Sequence, residues 1–251
     1  DLADQYFDMD WYVDYIIAES WMANTDWPGN NIRIYRSDKT NYRWRFCLLD
    51  MELGLLPNGW TDCYFDHINH MLGQDPNNPY INVWLKGMQN PRFRNYFINR
   101  FADLMNTSYK IERISAIEQS MFNQTVLEMP REYSRWGDPN NVAQQMTDFV
   151  NRHHEFQFQL SERTGQVRNH IQADLGLNGQ VEVTIDAFPA GAGTIKISTV
   201  TPDALPWTGV YFDGNPVVIT ATPNPGYAFV YWDANSIFTS PDFNASIELN
   251  I

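Results

Sequence analysis

The chain has 251 residues, 15% of them aromatic, and its formal net charge at pH 7 is −13. A chain of this length can bury a sizeable core in one large or two small domains, and its aromatic content argues against disorder. The acidic balance argues against nucleic acids and anionic membranes as partners, because both are bound through Lys and Arg, whereas a basic protein partner is compatible with it.

The first predicted elements are a buried helix and a β-hairpin. Asp8 or Asp10 can cap a helix that runs to about Ala23. It is predicted to be buried because apolar side chains occupy most of its circumference. The hairpin consists of two alternating runs, Asn31–Arg36 and Tyr42–Leu49, joined by a short polar linker. Each run has apolar side chains on one face, which are Ile32 and Ile34 in the first run and Tyr42, Trp44, Phe46 and Leu48 in the second.

Polar side chains flank this hairpin in an order that indicates phosphoryl transfer. Asp26 precedes it, Asn31 follows five residues later, and Asp50 stands at the end of the second strand. The same order of acid, amide, hairpin and acid occurs in the protein-kinase catalytic core, where the first acid accepts the substrate hydroxyl proton. The other two groups hold metal ions there. We therefore predict that Asp26 is the base and that Asn31 and Asp50 bind Mg²⁺ or Mn²⁺.

Two further residues complete this predicted site. Glu52 lies on the same side of the strand end as Asp50, because side chains alternate along a strand, and it is a predicted third metal ligand. Asn30 is predicted, together with Asn31, to contact the bound nucleotide. The alternative is that all of these acids and amides only form turns and caps.

The surrounding residues resemble the spore-coat protein H (CotH) kinase-like family over roughly residues 1–175. The resemblance rests on Tyr6–Asp10, Tyr12–Ile16, Asn24-Thr25-Asp26, Asn30-Asn31, Arg45-Phe46 and Leu49-Asp50-Met51-Glu52, and more weakly on Arg135-Trp136 and Phe149–Arg152. It implies a secreted, atypical protein kinase that uses ATP with Mg²⁺ or Mn²⁺ to phosphorylate Ser or Thr hydroxyls of proteins. The family usually has Trp-Asp-x-Asp where Leu49-Asp50-Met51-Glu52 stands, so the second acid is longer by one methylene.

Residues 53–79 are predicted to be loop-like, with turns at Pro57-Asn58-Gly59 and at Asp75–Pro79. A polar cluster in this stretch is either a metal site or a polar loop beside the active cleft, and its spacing matches no strong zinc signature, which favours the loop. The cluster consists of Asp62, Cys63, Asp66, His67 and His70. Cys63 either pairs with Cys47 or stays a thiol, and Cys47 is most simply a buried thiol.

Three amphipathic helices are predicted next, beginning at Pro91, near Ile111 and at Asp138-Pro139, and the helical tract ends near Gly176. His153 and His154, adjacent in the third helix, are predicted on its surface, because neighbouring side chains on a helix point apart.

The character of the sequence changes at about Asn178, so we predict a kinase-like C-terminal lobe over residues 1–176 and a small all-β module over residues 178–251. A protease is expected to cut at the junction if the two parts are loosely joined. The predicted strands are Val181–Ile185, Thr194–Ser198, Val217–Ala221 and Gly226–Trp232. Tyr211, Tyr227, Tyr231 and Trp232 either form a sugar-stacking face or, as we favour for most of them, pack in the module.

The segment Pro216–Trp232 resembles the β-repeat modules of bacterial surface proteins, which implies an extracellular or cell-envelope setting. The chain has no basic-then-apolar signal segment and no apolar run long enough to span a membrane. The oligomeric state stays open.

The predicted fold class is α+β: a mostly helical lobe with a central hairpin, then a sandwich-like β module. The predicted function is metal-dependent phosphoryl transfer in the protein at its natural length. A non-catalytic surface or adhesion protein, whose β module binds protein or glycan, is the alternative. We expect an upstream nucleotide-binding lobe, without which this chain is inactive, because no Lys or Arg occurs before Arg33 to contact a triphosphate.

Overall fold

The computed structural model of the protein describes residues 2–56, 61–234 and 241–251. They form two compact units, Asp1–Gln74 with Ser108–Val167 and Asp75–Thr107 with Arg168–Ile251. The predicted turn at Pro57-Asn58-Gly59 lies outside the described residues.

The described residues form eight α-helices and seven strands. The helices are α1 (Leu2–Tyr6), α2 (Met9–Met22), α3 (His67–Leu72), α4 (Pro79–Gly87), α5 (Pro91–Asn106), α6 (Ile111–Thr125), α7 (Met129–Trp136) and α8 (Val142–Asp174). The strands are β1 (Arg33–Tyr35), β2 (Arg45–Cys47), β3 (Gly179–Ile185), β4 (Gly193–Ile197), β5 (Trp207–Asp213), β6 (Val217–Pro223) and β7 (Ser246–Leu249). Helices followed by small antiparallel sheets confirm the predicted α+β class. Among the described residues, no helix combines the length and the apolar character needed to cross a membrane.

Helix α2 is the core of the first unit, as its apolar circumference predicts. Val13, Ile16 and Ile17 are completely buried. Asp8 precedes the helix but makes no side-chain cap bond. Its carboxylate instead pairs with Arg45 at 2.7 Å, which ties the start of the helix to the hairpin.

The hairpin forms, with shorter strands than predicted. β1 and β2 are antiparallel, with Ile34 opposite Phe46. Phe46 is buried against Tyr12 and Tyr15 of α2, as expected for its face. The face of the first run that carries Ile34 is not buried, since all three residues of β1 are exposed and Ile34 keeps 41% of its surface. A three-residue ribbon buries the strand that packs on the helix and leaves its partner exposed.

The prediction of loop over residues 53–79 is wrong at two places, where α3 and α4 begin. The Asp66 side chain accepts from the N–H of Asn69 at 3.0 Å and caps α3. Asn78 caps α4 by accepting from the N–H of Tyr80, and Pro79 occupies its first position. Asp and Asn-Pro signal helix starts as well as turns, and here each of them precedes a helix.

The later helices begin largely where predicted, with α5 at Pro91 and α6 at Ile111, but α7 was not predicted.

The surface position predicted for His153 is wrong. Its ring is buried, bonds to Glu118 Oε1 of α6 at 2.8 Å and stacks on Phe122 with centroids 3.7 Å apart. Both cysteines are free, Cys63 buried and Cys47 half-buried.

The second unit contains a two-stranded sheet, β3-β5, and a three-stranded sheet, β4-β6-β7, all antiparallel. β5 and β7 were not predicted. The predicted strand Gly226–Trp232 is wrong: within the described residues its one pairing is the isolated bridge between Trp232 and Asp242. Tyr211 is fully buried and donates to Asp103 Oδ1 of α5 at 2.7 Å, which confirms packing for that tyrosine. Tyr227 and Tyr231 are exposed.

The junction after α8 lies within the second unit. Arg94 of α5 donates to the carbonyl of Leu175, and Asn178 N–H donates to the carbonyl of Asp213 at 3.0 Å. The predicted boundary between residues 176 and 178 stays a prediction, but these bonds change what we expect of it.

We predict that limited proteolysis leaves the bonds of residues 175–180 uncut while exposed segments elsewhere are nicked. A protease needs several residues of extended, unbonded chain, and Leu175 and Leu177 are buried. Mass spectrometry of the fragments checks this, and an early cut within residues 175–180 would contradict it.

Candidate active site

The turn that carries Asp26 follows directly from the end of α2. The backbone carbonyl of Asp26 accepts from the N–H groups of Gly29, at 2.8 Å, and Asn30, at 2.7 Å. Asn31 Nδ2 donates to Asp26 Oδ2 at 3.1 Å. The structure therefore brings the predicted base and the predicted ligand Asn31 together, with both side chains half-buried, while Asn30 is exposed beside them.

The acids after the hairpin lie near one another and near Asp26. Asp50 and Glu52 are both exposed. The pKa of Glu52 is raised, chiefly by a side-chain hydrogen bond with Asp50, and the negative charges of Asp50 and Asp26 raise it as well. The carboxyl groups of Asp50 and Asp26 therefore lie within electrostatic reach of Glu52.

Asn31 and Asp50 share an uncommon backbone conformation. Their φ angles are 57° and 59°, in the left-handed region. Asn and Asp enter this region more readily than other non-glycine residues, at a cost of about 1 kcal/mol. Residues held in such conformations cluster at ligand sites. The two predicted ligands lie on either side of the hairpin, Asn31 before β1 and Asp50 after β2.

The donor set suits a hard divalent cation. Magnesium is usually held by one or two carboxylates together with phosphate oxygens and water, rather than by an all-protein cage. Asp50 and Glu52 supply two carboxylates, and the bond from Asn31 Nδ2 to Asp26 leaves the amide oxygen of Asn31 outside that bond. Across the described residues, no three or more His, Cys, Asp or Glu side chains are grouped so that they could hold a metal by themselves. Asp50, Glu52 and the amide oxygen of Asn31 are the groups that would hold such a cation.

A buried arginine from α8 holds the segments behind this turn. Arg163 is fully buried and donates to four backbone carbonyls, those of Ser20 at 2.8 Å, Trp21 at 2.6 Å, Cys63 at 2.9 Å and Phe65 at 2.7 Å. Burial lowers the pKa of Arg163 to about 10, which still leaves it positive at neutral pH. Positive charge is favoured at the carbonyl end of a helix, where Ser20 and Trp21 lie.

Asn24 connects the turn to this support. Its Nδ2 donates to Glu19 Oε2 at 2.8 Å, and its carbonyl bonds to His67 Nε2 at 2.9 Å. His67 is completely buried on α3, and burial lowers its pKa to about 3, so it is neutral. The prediction of a polar loop at His67 is therefore wrong, because α3 packs this residue beneath the Asp26 turn.

Glu19 gives this support a pH dependence. Burial raises the pKa of Glu19 from 4.5 to about 7. An acid with a raised native pKa stabilises the fold fully below its unfolded pKa and loses that contribution as the pH rises through the native value.

We predict that the free energy of unfolding of Glu19→Gln minus that of wild type is roughly 3 kcal/mol larger at pH 8 than at pH 4, so that the variant gains relative stability, because glutamine keeps the acceptor for Asn24 without ionising. Urea unfolding at the two pH values measures this. Asp14→Asn on the same helix is the control, and an equal difference in both variants would contradict the prediction.

Sequence reasoning predicted the groups at the front of the site and missed those behind it. Arg163, Glu19 and Asn24 were not predicted to have a role. One signal was present for Arg163, which stands at helical spacing among three buried apolar residues of α8: Leu160, Val167 and Ile171. A charged residue on an apolar stripe marks a buried, bonded group.

Comparison with known proteins gives two family matches. Residues 3–157 match the family described as CotH kinase protein, and residues 183–249 match the divergent InlB B-repeat domain. No curated protein and no solved structure matches the chain. The first match covers more than half of the 251 residues.

Proposed function

The chain belongs to the CotH kinase family, and on that premise we propose that it carries the metal-binding and base residues of a kinase that phosphorylates protein hydroxyls. The proposal is supported by the bond from Asn31 to Asp26 and by the electrostatic influence of Asp50 and Asp26 on Glu52. These groups come from two segments separated by the hairpin, and turn formation alone gives no reason for them to meet.

In this proposal each residue has a distinct task. Asp26 accepts the proton of the attacking hydroxyl, and its bond from Asn31 fixes the orientation of the carboxylate. Asn31, Asp50 and Glu52 hold Mg²⁺ or Mn²⁺, which when bound neutralises charge on the nucleotide phosphates. Asn30 is exposed at the turn and is proposed to contact the nucleotide, which we propose to be ATP.

The substrate and setting follow as proposals from charge and from the second family. A net charge of −13 favours a basic protein substrate over an acidic one. The InlB-type repeat and the CotH domain are both associated with cell surfaces or spore coats, which supports an extracellular or envelope location. The same repeat is compatible with a non-catalytic surface protein, and the experiment below separates the two functions.

We expect the protein in its natural length to transfer radiolabelled phosphate from ATP to a generic basic protein when Mn²⁺ is present. Asp26→Asn should lower the rate by about 10²–10⁴-fold, because the base is lost while the shape is kept. Asp148→Asn, an exposed acid of α8, is the matched control. Transfer by Asp26→Asn at the wild-type rate would refute its role, and no transfer by wild type would favour the surface protein.

A further inference from the structure

Two histidines of α3 reach the chain on both sides of Asp26. His67 Nε2 bonds to the carbonyl of Asn24, two residues before the acid, at 2.9 Å. The backbone of Trp27, one residue after it, interacts with the ring of His70 and raises its pKa, against the larger lowering that burial causes. The rings stand one helical turn apart, with centroids 5.2 Å from each other. One face of a short helix thus holds both flanks of the turn.

The neighbouring bonds fix which nitrogen of each ring carries the proton. The partner of His67 Nε2 is a carbonyl, so Nε2 donates and Nδ1 is bare in the neutral ring. His70 Nε2 lies 3.0 Å from Gln74 Nε2, an amide donor, so His70 Nε2 accepts. The proton of neutral His70 is then on Nδ1, so this ring can donate to a carbonyl such as that of Trp27.

Aromatic packing fixes the position of the turn between these bonds. Trp27 is buried, and its indole stacks on the His67 ring with centroids 6.2 Å apart. The Trp27 indole also contacts the ring of Tyr15 of α2 edge-on, with ring centroids 6.1 Å apart. The residue that follows Asp26 is therefore enclosed by α2 and α3.

We propose that His67 and His70 are positioning residues that hold the backbone around Asp26 in the geometry needed for proton acceptance. The inference rests on the proposed function and adds to it two residues that touch neither substrate nor metal. Neutral imidazoles suit the task, because they donate to carbonyls without placing a positive charge beneath the base. A lysine there would attract the Asp26 carboxylate and make it a weaker base.

Paired substitutions separate the hydrogen bond from the bulk of the ring. Glutamine places an N–H near the position of His Nε2, and asparagine places one near His Nδ1. His67→Gln and His70→Asn therefore keep the donors, whereas His67→Leu and His70→Leu remove them at similar volume.

We expect each leucine variant to lower kcat for phosphate transfer by about 10-fold or more, because small displacements of a catalytic group have effects of this size. The KM for ATP and the Kd for Mn²⁺–ATP should stay within about 3-fold of wild type, and the Gln and Asn variants should keep most of the wild-type kcat. Unchanged kcat in the leucine variants, equal loss in both members of a pair, or a parallel loss of nucleotide binding would overturn the proposal.

A second measurement tests the two bonds without any variant. Nitrogen-15 NMR of the imidazole groups at pH 7 should show His67 protonated at Nε2 and His70 protonated at Nδ1. The opposite tautomer at either ring would overturn the proposal, even where a leucine variant does not fold. If wild type transfers no phosphate, the proposed function and the positioning role fail together. Phosphate transfer with the wrong tautomers refutes the positioning role of His67 and His70 alone.

Discussion

Replacing Arg163 by methionine is expected to destabilise the first unit by roughly 3–5 kcal/mol. Methionine fills much of the same volume but donates no hydrogen bond, so four buried carbonyls lose their partner at once. Leaving a single buried polar group unsatisfied costs about 1–3 kcal/mol, and partial relaxation reduces the sum. The stability of Arg163→Lys should lie between those of wild type and Arg163→Met, because an ammonium group cannot span four acceptors as the planar guanidinium does.

Urea unfolding followed by tryptophan fluorescence measures this effect. Arg152→Met is the matched control, since Arg152 is an exposed arginine of the same helix and should change the stability by less than about 0.5 kcal/mol. Equal midpoints for Arg163→Met and Arg152→Met would show that the four bonds do not support the fold.

Replacing Asp50 by alanine is expected to weaken Mn²⁺-dependent nucleotide binding by roughly 100-fold or more, while Asp26→Ala leaves binding largely intact. Asp50 is a proposed direct ligand, and even residues that only support a metal ligand typically change affinity by about 10–100-fold. Asp26 acts on the substrate hydroxyl and does not hold the nucleotide. Asp50→Ala should therefore change nucleotide binding, whereas Asp26→Ala should change the rate of phosphate transfer.

Titration calorimetry with Mn²⁺ and a non-hydrolysable ATP analogue distinguishes these roles in the protein at its natural length. Asp148→Ala removes one negative charge elsewhere and should bind as wild type does. Equal weakening by Asp50→Ala and Asp26→Ala would contradict the separate tasks.

The front of the site was predictable because its signals are local. Alternating runs and a polar linker predict the hairpin, and the acids and amides lie within a few residues of its ends. Register then decides the geometry: with Arg33 opposite Cys47, the segments before β1 and after β2 leave the hairpin at the same end. Asn31 and Asp50 stand on these two segments.

The support behind the site was not predictable in the same way. Arg163 bonds to carbonyls near residue 20 and residue 63, and a carbonyl carries no side-chain signature. The burial of His67 was not predictable either. A histidine in a polar stretch indicates a surface position, and only the packing of α3 shows that His67 is buried.

In the second unit, strand propensity predicted a strand that does not form and missed a strand that does. Gly226–Trp232 is rich in aromatic residues and yet forms an isolated bridge where strands were expected. β5 was missed although it pairs with β3 along its whole length, from Gly179 opposite Asp213 at one end to Ile185 opposite Trp207 at the other. Gly209 interrupts its pattern, and the space that a side chain would need there is occupied by the ring of Trp207. Strand formation depends on the partner strand as much as on the residue.

The central claim is that Asp26, Asn31, Asp50 and Glu52 form one metal–phosphate site. Paramagnetic line broadening by substoichiometric Mn²⁺ in the presence of a nucleotide tests it most directly, because the effect marks the nuclei nearest the ion. We predict that the backbone amide signals of Asn31, Asp50 and Glu52 broaden first, and that Asp50→Ala abolishes the broadening at Asn31. Broadening centred elsewhere, with the signals of Asn31 and Asp50 unchanged, would contradict the claim.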